Sequence, residues 1–180
     1  RFARPTPSFH ENIIIPKYQP PSNDSSITLD EIKYLSSIIP NEKMVLKFDE
    51  VKESFKVHAE KLGIYDYIKK IEHESVKYIL ELKYKYNRPR PYQIAEFYGI
   101  DLNGTELESM KTPAYPSGHA IQGYLIADIM SKHDSSNTEV YQKIGENIAQ
   151  SRVTGKAHYP SDKEYGKHVA NVLFMGLKND

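Results

Sequence analysis

Apolar residues recur every three or four positions along most of this 180-residue chain, and this spacing constrains its fold more than any other feature. Prolines and glycines separate the periodic stretches. The first marked residues of these stretches are Thr28, Asn41, Ile68, Ser117, Thr138 and Pro160. No alternating pattern of useful length indicates a β-strand. The sequence therefore predicts an all-α fold, a single-domain bundle of about six helices.

Local signals place several of the element boundaries. A capping box of Thr28 and Glu31 is predicted to open the first helix. The second is predicted as one helix from Asn41 to Gly63. Residues 92–115 show no clear period and are predicted to form a loop.

The first 26 residues differ from the rest in composition. They contain five prolines and end in a run of Ser, Asn and Asp, which favours extended or turn conformations. We expect residues 1–26 to form an extended, irregular N-terminal arm, with residues 13–15 as a candidate anchor. Residues 27–180 are expected to form the helical domain.

Charge and hydropathy exclude several classes of protein. Twenty-four Lys and Arg residues balance 24 Asp and Glu residues, so no overall field attracts nucleic acid or an anionic bilayer. Any anion site must be local. The longest apolar run, residues 124–130, is interrupted by Asp128, so no transmembrane segment is expected. The absence of cysteine excludes disulfides and thiolate catalysis.

The start of the sequence leaves the compartment open. Residue 1 is arginine, and no signal-peptide pattern follows it. A periplasmic or secreted location is expected if residue 1 follows a removed signal peptide. The oligomeric state stays open, and a homo-oligomer is compatible with the sequence.

Three charged residues fall where the helical period calls for apolar ones. Lys83 continues the stripe of Ile79, Arg152 follows Ile148 by four, and Asp162 lies on the inner side of the last helix. A buried charge is costly unless it is paired, so these positions suggest that something charged meets them. The alternative is that each is a helix-end residue whose tip reaches solvent.

Arginine is rare in this chain, and its positions are informative. Three of the five arginines, Arg88, Arg90 and Arg152, lie at or near these inward-facing positions. Because a guanidinium matches oxyanion geometry, Lys83, Arg90 and Arg152 together would form a cradle for a tetrahedral oxyanion.

Two further patterns carry chemistry. Ser117 is placed to cap a helix whose first backbone N–H groups, at Gly118 and His119, would face an anion. His158 and Asp162 are four apart, so the carboxylate can fix the imidazole tautomer and leave the other ring nitrogen free. Each pattern alone is also compatible with a purely structural role.

Together these residues form a three-part signature. It reads K-x6-R-P from Lys83, P-S-G-H from Pro116 and S-R-x5-H-x3-D from Ser151. This signature resembles that of the type 2 phosphatidic acid phosphatase and vanadium haloperoxidase superfamily. Because no membrane span is expected, the chain is most similar to the soluble bacterial class A non-specific acid phosphatases.

The resemblance implies a soluble, metal-independent acid phosphatase that hydrolyses phosphomonoesters through a phosphohistidine intermediate. It implies a phosphorylated small molecule as substrate, no cofactor, and vanadate as an inhibitor. His158 would be the nucleophile, Asp162 its orienting partner and His119 the general acid. The phosphate-binding residues would be Lys83, Arg90, Ser117, Gly118 and Arg152.

One departure and three alternatives accompany this interpretation. The family often has glycine two residues before the nucleophilic histidine, whereas this chain has Lys156, which we expect to point to solvent. A vanadate-dependent haloperoxidase would bind its cofactor through His158. A lipid phosphate or diphosphate phosphatase would act at a membrane surface. A non-catalytic phosphate-binding module would not need both His119 and His158.

Overall fold

A computed structural model describes residues 6–178, and within them the chain is built from helices joined by short loops. The α-helices are α1 (Ser26–Ser37), α2 (Glu42–Lys47), α3 (Val51–Lys61), α4 (Tyr65–Tyr86), α5 (Pro91–Phe97), α6 (Gly118–His133), α7 (Thr138–Thr154) and α8 (Pro160–Met175). Two 3-10 helices lie at Glu108–Lys111 and Ser135–Asn137. The predicted all-α fold is confirmed.

Residues 6–178 contain eight α-helices where about six were predicted, and the difference has two local causes. The stretch predicted as one helix from Asn41 to Gly63 is broken at residues 48–50, where Asp49 turns towards Arg152. The predicted loop 92–115 contains most of α5, which begins at Pro91 and has only seven residues. So short a helix shows too few turns for a period to be recognised.

The predicted capping box at the start of α1 was also wrong. Ser25 is the N-cap, and its hydroxyl oxygen accepts a hydrogen bond from the Thr28 backbone N–H. Glu31 instead reaches across the molecule and accepts hydrogen bonds from Ser161 at the start of α8. This long-range contact fixes α1 against α8.

Helix α6 lies at the centre of the hydrophobic core, with apolar side chains buried on several faces. It approaches α7 closely because both helices carry glycine at the contact. A Cβ atom built on Gly145 would lie 2.8 Å from the Gly123 carbonyl oxygen and 2.9 Å from the Ala127 Cβ. This packing brings the N-terminus of α6 beside the C-terminal end of α7.

Of the predicted arm, residues 6–25 contain no helix and lie against the core, whereas Ser26 already belongs to α1. Phe9 is buried, and the backbone N–H of His10 donates to the Gly176 carbonyl (2.8 Å). Of the candidate anchor residues, Ile13 and Ile15 pack against the core, whereas Ile14 is 85% exposed. Residues 1–5 of the predicted arm lie outside the described residues, and the domain boundary at residue 27 stays a prediction.

Among residues 6–178, no helix combines the length and the apolar character that crossing a bilayer requires.

Candidate active site

The structure brings all eight predicted site residues together, from five places along the chain. Lys83 lies in the last turn of α4, and Arg90 is the residue before α5. Ser117 caps α6, and Gly118 and His119 are its first two residues. Arg152 lies in the last turn of α7. His158 precedes α8, and Asp162 lies in its first turn.

His158 is almost completely buried, and its two ring nitrogens have different partners. Nδ1 lies 3.1 Å from Asp162 Oδ2, and Nε2 lies 2.9 Å from Nη1 of Arg90. A guanidinium can only donate hydrogen bonds, so Nε2 must accept and Nδ1 must carry the ring proton. Burial, together with the nearby charges of Arg90 and Lys83, holds the pKa of His158 well below its usual value. The imidazole is therefore neutral, with its Nε2 lone pair directed at Arg90.

Asp162 is fully buried and accepts hydrogen bonds on both carboxylate oxygens. Besides His158, Oδ2 accepts from the Tyr159 backbone N–H (2.8 Å), and Oδ1 accepts from Nη1 of Arg88 (2.7 Å). Burial raises the pKa of Asp162 to about 6, and the Arg88 guanidinium opposes this rise. At neutral pH Asp162 is therefore the ionised acceptor that orients His158.

Arg90 uses each of its five N–H groups in the structure. Nε donates to the Thr112 carbonyl (2.7 Å), and Nη1 donates to the Ala157 carbonyl (3.0 Å) as well as to His158. Nη2 donates to the Ser109 carbonyl and to the Thr112 hydroxyl. Burial lowers the pKa of Arg90 to about 10, which still leaves it charged at neutral pH.

Lys83 and Gly118 pack directly against each other. Lys83 Nζ donates to the Pro113 carbonyl (2.8 Å). Burial, with Arg90 close by, lowers the pKa of Lys83 to about 7. A Cβ atom at Gly118 would lie 3.7 Å from Lys83 Cε, an ordinary contact, and 3.3 Å from Ile79 Cγ2, a tight one that glycine avoids. The ammonium group therefore lies beside the start of α6, where backbone N–H groups lack intrahelical acceptors.

The predicted N-cap role of Ser117 is confirmed. Its hydroxyl oxygen accepts a hydrogen bond from the Ala120 backbone N–H (3.2 Å). The Ser117 backbone N–H donates to the Asp162 carbonyl (3.1 Å), which ties α6 to α8.

His119 and Arg152 meet at Asp49. His119 Nε2 lies 2.7 Å from the Asp49 carbonyl oxygen, which can only accept, so Nε2 carries a proton. Arg152 Nη1 donates to Asp49 Oδ1 (3.0 Å), and Nη2 donates to the Val45 carbonyl (2.7 Å). Burial and the Arg152 charge lower the pKa of His119 to about 4.

Three residues in or next to this site were not assigned to it from the sequence. Asp49 connects Arg152 with His119, and Arg88 pairs with Asp162. Glu31 contacts Arg88 in turn (3.3 Å). The rarity of arginine had drawn attention to Arg88, but Arg88 was given no part in the predicted cradle. No sequence spacing points to Asp49 or Glu31.

The expectation that Lys156 points to solvent was wrong. Lys156 is 3% exposed, and its Nζ donates to the Leu102 carbonyl (2.5 Å). Its φ of 63° lies in the left-handed region, which glycine adopts without strain. The backbone here keeps a conformation suited to glycine although the side chain is lysine.

Comparisons with known proteins found partial similarity to acid phosphatases. No family model matches the chain. It is 34% identical over 100 residues to the non-specific acid phosphatase of Providencia stuartii, an overlap of 54% of this chain and 39% of that protein. It is 35% identical over 68 residues to the non-specific acid phosphatase of Salmonella typhimurium, covering 38% of this chain and 27% of that protein.

The non-specific acid phosphatase of Salmonella typhi is 34% identical over the same number of residues, with the same coverage. The chain thus spans less than half the length of the curated relatives it matches. These partial similarities support a relationship to acid phosphatases.

Proposed function

We propose that this protein is a phosphatase that hydrolyses phosphomonoesters without a metal ion, through a phosphohistidine on His158. The observation that carries the proposal is the pair of contacts on the His158 ring. Asp162 holds Nδ1 and the donor-only Arg90 faces Nε2, so a nucleophilic lone pair is directed into a cluster of cations. The similarity to non-specific acid phosphatases supports the same chemistry.

In the first step, Nε2 of His158 attacks phosphorus and the bond from phosphorus to the ester oxygen breaks. Lys83, Arg90 and Arg152 stabilise the charge on the other phosphoryl oxygens, together with the N–H groups at the start of α6. Asp162 keeps its hydrogen bond to Nδ1 and stabilises the ring as it becomes positive. These three cations supply the charge stabilisation for which many phosphatases use metal ions.

The departing oxygen needs a proton, and the proposal assigns His119 as its donor. In neutral His119 the Nε2 proton is hydrogen-bonded to the Asp49 carbonyl, so the proton for the leaving group is the second one, which only the imidazolium form carries. A bound phosphate group offsets the neighbouring Arg152 charge, which raises the pKa of His119 and favours its protonated form. In the second step the neutral His119 takes a proton from water, and the resulting hydroxide attacks phosphorus and releases inorganic phosphate from His158.

The test is hydrolysis of a panel of phosphomonoesters, diphosphates and lipid phosphates, with and without a chelator or vanadate. We expect hydrolysis of simple phosphomonoesters that is insensitive to chelator and inhibited by vanadate, which resembles the transferring phosphoryl group. Activity lost in chelator and restored by a divalent ion would contradict the metal-free mechanism.

The covalent step has its own test. Quenching with alkaline denaturant during turnover of a 32P-labelled ester should trap label on the wild-type protein, because a phosphohistidine is stable in alkali, and none on a His158→Asn variant. Label retained by His158→Asn on another residue would remove His158 as the nucleophile. Oxidation of halides by peroxide in the presence of vanadate would instead support the haloperoxidase alternative.

A further inference from the structure

A second buried charge lies behind Asp162, on the side away from His158. Arg88 is 2% exposed, and its Nη1 donates to Asp162 Oδ1 and to the Ser161 hydroxyl, both at 2.7 Å. Its Nη2 lies 3.3 Å from Glu31 Oε2. The mechanism proposed above gives Arg88 and Glu31 no part. Two carboxylates therefore flank one guanidinium just beyond the catalytic pair.

The surroundings of Arg88 hold it in place. Its guanidinium carbon lies 3.8 Å from the centroid of the Tyr159 ring, and its backbone carbonyl accepts from the Ala114 N–H (2.9 Å). Glu31 is fixed in turn, because Oε1 accepts from the Ser161 backbone N–H (2.7 Å) and Oε2 from the Ser161 hydroxyl (2.9 Å). Helix α1 thus supplies the support for a cation that contacts the active-site carboxylate.

The hydrogen bonds of Asp162 decide where the His158 proton resides. Each oxygen of Asp162 faces at least one N–H donor, so a carboxylic acid proton would have to displace one of them. With Arg88 absent, Oδ1 loses its cationic donor in a fully buried site, and protonation of Asp162 becomes favourable. A protonated carboxyl would donate to Nδ1 of His158, and the ring proton would then reside on Nε2.

We infer that Arg88, supported by Glu31, is a positioning residue that keeps Asp162 ionised and so holds His158 in its Nδ1–H tautomer. The consequence for catalysis rests on the proposed function, since only a nucleophilic His158 needs a free Nε2 lone pair. The predicted effect of Arg88 on the tautomer of His158 is independent of the proposed function. Arg88 acts through Asp162 and touches no reacting atom.

Among residues 6–178, four titratable groups besides Asp162 face His158. They are Lys83, Arg90, His119 and Arg152. The positive charges of Lys83, Arg90 and Arg152 disfavour a second proton on the ring, so His158 carries one proton, on Nδ1 or on Nε2. Arg90 favours the Nδ1–H tautomer from the Nε2 side, and a ring protonated on Nε2 would have to turn the facing Nη1 N–H away.

The test is nitrogen NMR of the histidine rings in the full 15N-labelled chain at neutral pH, without substrate. The His158 signals are identified by their loss in His158→Asn. Three variants are compared: Arg88→Met removes charge and donors, Arg88→Gln keeps amide donors but no charge, and Arg88→Lys keeps the charge. If Arg88→Met does not fold, Arg88→Gln carries the test alone.

We expect the wild type and Arg88→Lys to show an unprotonated Nε2, and the two neutral variants to shift towards a protonated Nε2. Folded neutral variants that keep the wild-type pattern would overturn the inference, as would a wild type with a protonated Nε2. Glu31→Gln should shift the tautomer in the same direction by a smaller amount.

Kinetics give the second readout. Arg88→Gln should lower kcat by about 10- to 100-fold with little change in KM, and Arg88→Lys should restore most of it. A tautomer shift in a protein without phosphatase activity would support the inference and refute the proposed function. Phosphatase activity in the wild type, together with an unchanged tautomer in the neutral Arg88 variants, would support the proposed function and refute the inference.

Discussion

The two histidines of the site are held in opposite ways. His158 lies in the interior, with a carboxylate at Nδ1 and a guanidinium at Nε2. His119 lies nearer the surface, with a proton on Nε2 that a backbone carbonyl accepts. The partner of Nε2 is a donor in one case and an acceptor in the other. In the proposed mechanism this difference matches a nucleophile at His158 and an acid–base residue at His119.

The carboxylates beside these histidines differ in the same sense. Each carboxylate pairs with an arginine, but Asp162 is fully buried whereas the side chain of Asp49 is 45% exposed. Burial fixes the geometry on the His158 side, and partial exposure leaves the His119 side open to proton exchange with solvent. A proposed nucleophile needs the first environment and a proposed acid–base residue the second.

Removing each histidine should give the largest effects and break the comparison most directly. His158→Asn should lose at least about 10⁴-fold in kcat on every ester, because the covalent route is gone. His119→Asn should lose about 10²- to 10⁴-fold on alkyl phosphates and much less on nitrophenyl phosphate, whose leaving group departs without a proton. The measurement is kcat/KM across esters with graded leaving-group pKa.

The control for this prediction is how the loss of kcat/KM varies with leaving-group pKa, not how large the loss is. A uniform loss in His119→Asn across all esters would show that His119 does not protonate the leaving group. The loss of kcat/KM in His158→Asn should be independent of leaving-group pKa.

The cations should give the next largest effect. Arg152→Ala should lose about 10²-fold or more in kcat, as an oxyanion-hole donor does when removed. Asp49→Asn should lose about 10-fold, because it keeps the shape of the contact to Arg152 and removes only the charge. Turnover of Arg152→Ala close to wild type would place Arg152 outside the site.

The pH dependence of kcat/KM tests the contribution of Lys83 to the site. Its pKa is about 7 without ligand, so the ammonium loses its proton as the pH rises through neutrality, and kcat/KM should fall above about pH 7. Lys83→Arg stays charged and should move that fall to higher pH. Because substrate ionisation is common to both proteins, the ratio of their kcat/KM values against pH isolates Lys83. A ratio independent of pH would contradict this assignment.

The smallest expected effect is on stability, at Lys156. Lys156→Ala loses the bond to the Leu102 carbonyl and keeps the left-handed backbone, whereas Lys156→Gly loses the same bond and relieves the strain. Lys156→Gly should therefore be more stable than Lys156→Ala by about 1 kcal/mol in urea unfolding. Equal stability would mean that residue 156 carries no backbone strain.

The helices and the signature residues were predictable because both depend on short sequence distances. The Nδ1 contact of His158 with Asp162 spans four residues, and the cap of α6 spans three. By contrast, Asp49 meets Arg152 across 103 residues, and Glu31 meets Ser161 across 130. Local spacing carries no information on how α1 and the α2–α3 break pack against α7 and α8. The break itself interrupts a helical period that continues on both sides of it.

The hydrogen bonds of Arg90 also affect how an apparent affinity should be understood. Its N–H groups are engaged by carbonyl and hydroxyl groups of residues 109 and 112, by Ala157 and by His158. Any oxyanion that binds Arg90 must therefore compete with the protein's own acceptors. If the exchanged arrangement makes up about 1% of the free protein, the measured dissociation constant is about 100-fold weaker than the intrinsic one. Substitutions in residues 109–112 would then change phosphate affinity without touching the phosphate.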